Sequence, residues 1–205
     1  MEKKYDLYEL SVDEETLGMY AVSLVEEPAV LKKWLAFSKD GKPEEKPVRL
    51  SIQDEEKHKL LGVILRADFP IYRRDQMGEY YIIWRPAEIE KIARLFLLQG
   101  FQNAVNLDHN ADAFLEEGQI EIEQLIIKNS AMGISPKGFE DIEEGSLFAI
   151  YKVKNDDLWK KIKEGEWNGF SMEGYYRYTP AGKVGKETEE STEEWWEKFL
   201  NSIGG

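Results

Sequence analysis

Two residues of this sequence have the types and surroundings that acyl-transfer chemistry requires. Ser171 lies within residues 169–174 (GFSMEG), and His109 ends residues 105–109 (VNLDH). A serine hydroxyl is a weak nucleophile near neutral pH, so it needs an imidazole to take its proton and usually a third group to fix the imidazole tautomer. The pattern therefore predicts Ser171 as nucleophile and His109 as general base, on two separate strands.

The chain has one other histidine, His58, in the charged run of residues 54–59 (DEEKHK), which favours an exposed, non-catalytic position. A structural role for the pair remains the alternative, because a histidine at a strand end is often only hydrogen-bonded and a serine between glycines often only occupies a tight strand. Gly174, the second glycine of this segment, comes one residue later than the second glycine in the Gly-x-Ser-x-Gly elbow of the α/β-hydrolases. That enzyme class is excluded.

Two carboxylates are candidates for the third group, which would orient the imidazole of His109. Glu173 shares the strand face of Ser171, because side chains alternate along a strand. Glu123 lies on the strand that follows His109, and a hairpin would return it to the histidine. Backbone N–H groups near Ser171 are the first candidates to bind the oxyanion, and Arg177 is a reserve.

Runs rich in β-branched and aromatic residues between turn signals, with a period-two pattern in residues 120–127 and 170–178, predict most of the elements that position these residues. We expect strands at residues 5–10, 20–25, 60–65, 79–84, 105–109, 120–127, 146–153 and 170–178. Pro86 begins a helix with an apolar stripe and Gly100 after it, and Asn155 caps a short helix that ends at Gly165. Many strands with two or three helices predict an α+β fold with a barrel-like sheet.

One domain is expected over residues 1–180, with an exposed charged loop at 39–48. An acidic linker follows at 181–190, and an amphipathic helix at 191–205. The Trp195 and Trp196 stripe of that helix either docks on the core or binds a partner.

Composition excludes several classes of function. The net charge is −13, and basic residues form no stripe interleaved with aromatics, so nucleic acid is not an expected partner. The chain has no cysteine and no metal-ligand or nucleotide-loop spacing, so neither a metal nor a cofactor is predicted. Its apolar runs are far shorter than the roughly 20 residues of a membrane span, and no signal peptide precedes them. We expect a cytoplasmic protein that does not bind a membrane.

Eight ordered segments carry a family resemblance. Together they resemble the phage prohead (capsid maturation) serine proteases of the XkdF-like type. The segments are residues 18–29 (GMYAVSLVEEPA), 36–39 (AFSK), 70–73 (PIYR), 78–82 (GEYYI), 88–96 (EIEKIARLF), 105–109 (VNLDH), 155–165 (NDDLWKKIKEG) and 169–174 (GFSMEG).

The resemblance implies a herpesvirus assemblin-like fold, an antiparallel β-barrel-like core surrounded by a few helices. His109 and Ser171 fall on the family's histidine and serine, and Glu123 is the choice for an acidic third residue. Asn110 follows the histidine where related sequences often have Asp, which puts an orienting role there in doubt. The segment from Ser23 to Ala29 is similar to one that other prohead proteases place after the serine, which implies a permuted strand order.

The implied activity is that of a serine endopeptidase without a cofactor, which cleaves phage scaffold and major capsid proteins, and itself, during prohead maturation. It would act in the host cytoplasm inside the assembling prohead. The resemblance also implies a homodimer, because assemblin-like enzymes are often dimers. Two other classes stay open. One is a non-enzymatic, scaffold-like or capsid-binding virion component that keeps the fold, and the other is a hydrolase of small esters that uses the same dyad.

Overall fold

The computed structural model describes residues 4–13, 16, 18–26, 28, 50–76, 78–116 and 118–185. The predicted loop at 39–48 and helix at 191–205 lie outside these residues. The described elements, in chain order, are β1 (Lys4–Ser11), β2 (Gly18–Val25), β3 (Ser51–Asp54), β4 (Lys59–Leu65), β5 (Ile71–Asp75), β6 (Gly78–Trp84), α1 (Pro86–Leu98), a 3-10 turn (Phe101–Asn103), β7 (Val105–Leu107), β8 (Ile120–Ile127), a second 3-10 turn (Ser130–Met132), β9 (Leu147–Val153), α2 (Asp156–Lys163), β10 (Gly169–Tyr175) and β11 (Arg177–Gly185).

The described strands form three open sheets, in the orders β11-β1-β6-β5, β10-β2-β7 and β3-β4-β9-β8. The α+β class is confirmed, but a closed antiparallel barrel is not formed by these strands. The pairs β1–β6 and β2–β7 are parallel. The prediction of a purely antiparallel core was wrong because alternation along a strand reports which face is buried and does not identify the neighbouring strand.

Helix α1 covers the sheet β10-β2-β7, which carries Ser171 and which we call the site sheet. Pro86 occupies its first turn, where the missing N–H costs nothing, and the predicted apolar stripe of Ile89, Ile92, Ala93 and Phe96 is buried. Full burial of a side chain such as Phe96 contributes about 1.5–3 kcal/mol. The helix packs against β2 and β9 and so fixes the back of the site sheet. Neither described helix is long and apolar enough to cross a membrane.

The predicted strand at residues 170–178 is in fact two strands in different sheets. Tyr176 lies between them, and its ring packs edge-on against Trp84 with centroids 4.6 Å apart. A register irregularity at Glu173 and Gly174 precedes the break. Alternation continues through the break, so the sequence pattern did not reveal it. Arg177 therefore begins β11, which continues to Gly185 and includes the first five residues of the expected linker.

Candidate active site

The site sheet, β10-β2-β7, aligns three polar residues in one row. Ser171 on β10 is directly opposite Ser23 on β2, and Ser23 is paired in turn with Asn106 on β7. Residues opposite each other in a sheet share a face. Ser171 is 7% exposed and the other two are fully buried. Because burying polar groups is costly unless they are hydrogen-bonded, a row of three inside a core marks a candidate functional site.

The glycines around Ser171 are explained by close packing. A Cβ at Gly169 would overlap the ring of Pro28, and one at Gly174 would overlap the Tyr176 hydroxyl and the Gly18 carbonyl. The strand that carries the serine is therefore held tightly against its surroundings.

His109 does not lie on a strand, which corrects the predicted strand at residues 105–109. Strand β7 ends at Leu107, and Asp108 and His109 both have positive φ, 50° and 57°. The turn is held by the Asp108 N–H, which donates to the Leu24 carbonyl at 2.9 Å, and by the Asn110 N–H, which donates to the Leu107 carbonyl at 3.0 Å. Left-handed backbone is uncommon for non-glycine residues and is often found at functional sites.

This turn brings the imidazole to the polar row. His109 Nδ1 lies 3.1 Å from Ser23 Oγ and 3.3 Å from Glu173 Oε1. The side chain of His109 is 45% exposed, so one part of the ring remains open to solvent. A carboxylate beside Nδ1 favours the tautomer with the proton on that atom, which leaves Nε2 able to accept a proton.

Glu173 is the centre of the hydrogen-bond network. Its Oε1 accepts from Ser23 Oγ at 2.6 Å and from Asn106 Nδ2 at 2.5 Å, and its Oε2 accepts from the Tyr20 hydroxyl at 3.1 Å. Burial alone would raise the pKa of this carboxyl, but these three hydrogen bonds and the nearby His109 outweigh burial and lower the pKa. Glu173 is therefore ionised at neutral pH. Burial and the same carboxylate raise the pKa of Tyr20.

The two serines differ in their hydrogen bonding. Ser23 Oγ lies within hydrogen-bond distance of Asn106 Oδ1 at 2.5 Å, in addition to Glu173 and His109. Ser171 has no side-chain hydrogen bond within the described part of the chain, and it borders a small cavity that is also lined by Arg73 and Met172.

Glu123 and Arg177 lie away from His109. Glu123 on β8 forms an ion pair with Lys59 on β4. Strand β8 pairs with β9, and β7 pairs with β2, so the expected hairpin between β7 and β8 is not formed. Arg177 forms an ion pair with Asp13 at 2.5 Å. The structure thus brings together His109 and Glu173, the other carboxylate that the sequence left open.

Sequence reasoning missed three members of the network, Ser23, Asn106 and Tyr20. One signal was present for Ser23, a serine in the otherwise apolar residues 21–25 (AVSLV). No comparable signal marks Asn106 or Tyr20. Within the described ranges, no group of three or more acidic or histidine side chains is placed to hold a metal ion.

Comparisons with known proteins place the chain among phage proteins. The model of a family described as "Putative phage serine protease XkdF" matches residues 47–179, which include His109, Ser171 and Glu173 but not Ser23. No solved structure matches significantly.

Two curated relatives come from Bacillus subtilis (strain 168). "Uncharacterized protein YqbD" is 27% identical over 154 residues, which cover 75% of this chain and 43% of the relative. "Phage-like element PBSX protein XkdF" is 30% identical over 181 residues, 77% of this chain and 59% of the relative. The chain thus spans about half the length of these relatives. With a family match over more than half of its residues, the chain belongs to the XkdF family of phage serine proteases.

Proposed function

We propose that the chain is a serine endopeptidase in which Ser171 is the nucleophile, His109 the general base and Glu173 the carboxylate that orients the histidine. Glu173 replaces Glu123 in this role because it lies 3.3 Å from His109 Nδ1. The single observation that carries the proposal is the ionised, partly buried carboxylate of Glu173 beside a half-exposed imidazole, on the same strand as Ser171 and two residues after it.

Ser171 is a better nucleophile candidate than Ser23. The hydroxyl of Ser23 is fully buried and already engaged with Asn106, Glu173 and His109, which leaves no approach for a peptide carbonyl. Ser171 lies directly opposite Ser23, and side chains opposite each other in an antiparallel pair have Cβ atoms about 4.5–5.5 Å apart. Ser171 is therefore the immediate neighbour of the residue that contacts His109. Ser171 also borders a cavity and lies within the family match.

The proposed reaction follows from these roles. Nε2 of His109 takes the Ser171 proton as Oγ bonds to the peptide carbonyl carbon, and backbone N–H groups near Ser171 bind the oxyanion. The imidazolium, stabilised by Glu173, then protonates the leaving amine as the C–N bond breaks. A water molecule, deprotonated by His109, then attacks the acyl-enzyme. The ester bond breaks, the new carboxylate is released, and the proton returns to Ser171 Oγ.

We further propose that the substrates are phage scaffold and major capsid proteins, and the chain itself, during prohead maturation in the host cytoplasm. The family description supports the protease class, and the printed name of one relative supports the phage setting. The assemblin-like fold and a homodimer are part of this proposal.

A specific observation favours a second function, a non-enzymatic virion component with the same fold. The described contacts of His109 are with Ser23 and Glu173, and Ser171 has no side-chain hydrogen bond to the imidazole. If Ser171 and His109 do not catalyse cleavage, the chain would act as a scaffold-like or capsid-binding protein.

Co-expression with the neighbouring scaffold and capsid proteins separates the two functions. Cleavage is read by intact mass for the native chain, Ser171→Ala and His109→Ala, with Ser51→Ala on edge strand β3 as the matched control. We expect processing by the native chain and the Ser51 variant and none by the other two. Equal processing by all four, or by none under any assembly condition, would contradict the protease and favour the virion component.

A further inference from the structure

A cavity of about 230 Å³ lies beside the proposed catalytic groups, where the site sheet meets the sheet β11-β1-β6-β5. Glu173 and Met172 form one wall, and Arg73 and three tyrosines line part of the rest. A second, smaller cavity, which Ser171 borders, shares Arg73 and Met172 with the first. The tyrosines that line the larger cavity are Tyr20, Tyr176 and Tyr178.

Arg73 lacks the partners that other partly buried arginines of this chain have. Arg85 binds Glu9 and Asp68, each at 2.9 Å, and Arg66 binds Glu143. Within the described residues, the guanidinium of Arg73 makes one long hydrogen bond, to the neighbouring Tyr72 carbonyl at 3.4 Å, and no ion pair.

Burial lowers the pKa of Arg73, against weaker opposing effects of Tyr178, Tyr80 and Asp75. Asp75 is exposed, and its carboxylate already accepts a hydrogen bond from the Tyr80 hydroxyl at 2.6 Å. A cation that is desolvated without a carboxylate partner is destabilising unless a ligand supplies the missing charge.

We propose that Arg73 binds the carboxylate of an Asp or Glu side chain of the polypeptide substrate and so determines which bonds are cleaved. A guanidinium matches a carboxylate with two parallel hydrogen bonds, and the surrounding tyrosine rings offer apolar surface to the side-chain methylenes. The inference rests on the proposed function, because Ser171 borders the smaller cavity, which shares Arg73 and Met172 with the larger one.

Glu173, the acidic residue in the cavity wall, forms no ion pair with Arg73. Its Oε1 accepts hydrogen bonds from Ser23 and Asn106, and its Oε2 accepts one from Tyr20. A substrate carboxylate therefore does not have to displace Glu173 from Arg73. The chain as a whole carries −13 and would repel acidic peptides. A preference for an acidic residue must therefore come from a local cation.

Cleavage-site profiling tests the assignment directly. A denatured proteome digested by the native chain should show Asp or Glu enriched at one position next to the cleaved bond. Arg73→Met should remove that enrichment, and Arg74→Met, an exposed neighbour on the same strand with the same charge change, should keep it. No acidic enrichment with the native chain, or the same enrichment in Arg73→Met, would overturn the inference while leaving the protease intact.

A binding measurement keeps the inference testable if no cleavage is found. The Ser171→Ala protein is titrated with the peptides acetyl-Ala-Ala-Glu-Ala-Ala-amide and acetyl-Ala-Ala-Gln-Ala-Ala-amide, observed by NMR. We expect the Glu peptide to bind roughly tenfold to a hundredfold more tightly, as charged hydrogen bonds give, and to lose that advantage when Arg73→Met is added. Equal affinity of the two peptides, or an advantage that survives Arg73→Met, would contradict the inference.

Discussion

Two regions of the molecule bury polar side chains, and they use them differently. One is the site row, which consists of the buried Ser23, Asn106 and Ser171 together with His109 and Glu173, both in contact with Ser23. The other, which we call the loop anchor, consists of Arg66, Lys128 and Ser146 and lies around residues 128–146.

The loop anchor satisfies its polar groups internally. Lys128 Nζ donates to the carbonyls of Glu140 at 2.6 Å and Ile142 at 2.5 Å. Ser146 Oγ accepts from the Ala67 N–H at 3.0 Å, and Arg66 binds both oxygens of Glu143. These contacts fasten the loop to the core and leave nothing free for a substrate.

The site row leaves groups unused. His109 is 45% exposed, and Ser171 has no side-chain hydrogen bond in the described residues. A fully satisfied buried network contributes stability, whereas an incompletely satisfied one beside a cavity is available for chemistry. Substitutions in the loop anchor should therefore reduce stability, and substitutions in the site row should reduce activity.

The largest effect is expected for His109→Ala. Loss of the general base should reduce kcat/KM on the order of 10⁴-fold or more, with a change in unfolding free energy of less than about 1 kcal/mol, because the side chain is half exposed. Kinetics on a cleaved scaffold protein and thermal unfolding check both parts. His58→Ala is the control, and comparable losses of activity in the two variants would contradict the role of His109.

Glu173→Gln sharpens the comparison of the two candidate carboxylates. An amide cannot stabilise the imidazolium, so kcat/KM should fall on the order of 10²- to 10⁴-fold. Glu123→Gln should change kcat/KM by less than about twofold, because Glu123 is paired with Lys59 and not with the histidine. A larger loss with Glu123→Gln would return the orienting role to Glu123.

Lys128→Met tests the loop anchor. The carbonyls of Glu140 and Ile142 would lose their buried donor, so the free energy of unfolding should fall by about 1–3 kcal/mol, while kcat/KM of the folded protein is unchanged. Urea unfolding measures the loss, with exposed Lys137→Met as the matched control. Unchanged stability in Lys128→Met would break the distinction between the two regions.

Ser23→Ala tests whether Ser23 positions the other groups. Removal of its hydroxyl leaves Glu173 with Asn106 and Tyr20, so we expect kcat/KM to fall about tenfold, within the range of a single lost hydrogen bond. A loss as large as that of His109→Ala would instead identify Ser23 as the nucleophile.

The smallest effect is a dependence on pH. Hydrogen bonds lower the pKa of Glu173, so its stabilisation is present above the ordinary carboxyl pKa of about 4.3 and is lost as the pH falls through the lower folded value. The difference in Tm between the native chain and Glu173→Gln should therefore shrink between pH 6 and pH 3. A difference that stays constant or grows on acidification would contradict an ionised Glu173.

Much of the local structure was predictable because it depends on local patterns. Runs of β-branched and aromatic residues between turn signals located β1, β2, β4 and β6, and alternation located β8. The proline, asparagine and glycine signals located both described helices. His109 was found because histidines are scarce in this chain. The left-handed turn at Asp108 and His109 was not predicted, because the sequence of β7 does not show that the strand ends at Leu107.

Features that depend on distant residues were not predictable. Pairing of Ser23 with both Ser171 and Asn106 joins residues separated by more than 80 positions, and alternation says nothing about such partners. Because the neighbours of each strand could not be predicted, the sequence favoured Glu123, which is closer to His109 in sequence than Glu173. The two carboxylates are distinguished by strand register, which only the folded chain reveals.

The most direct test of the central claim is covalent labelling with a fluorophosphonate, which reacts with an activated serine, followed by peptide mass spectrometry. We predict a single adduct on Ser171 that is lost in His109→Ala and strongly reduced in Glu173→Gln. An adduct on Ser23, or no adduct on a folded protein that is tested together with its scaffold and capsid substrates, would contradict the account.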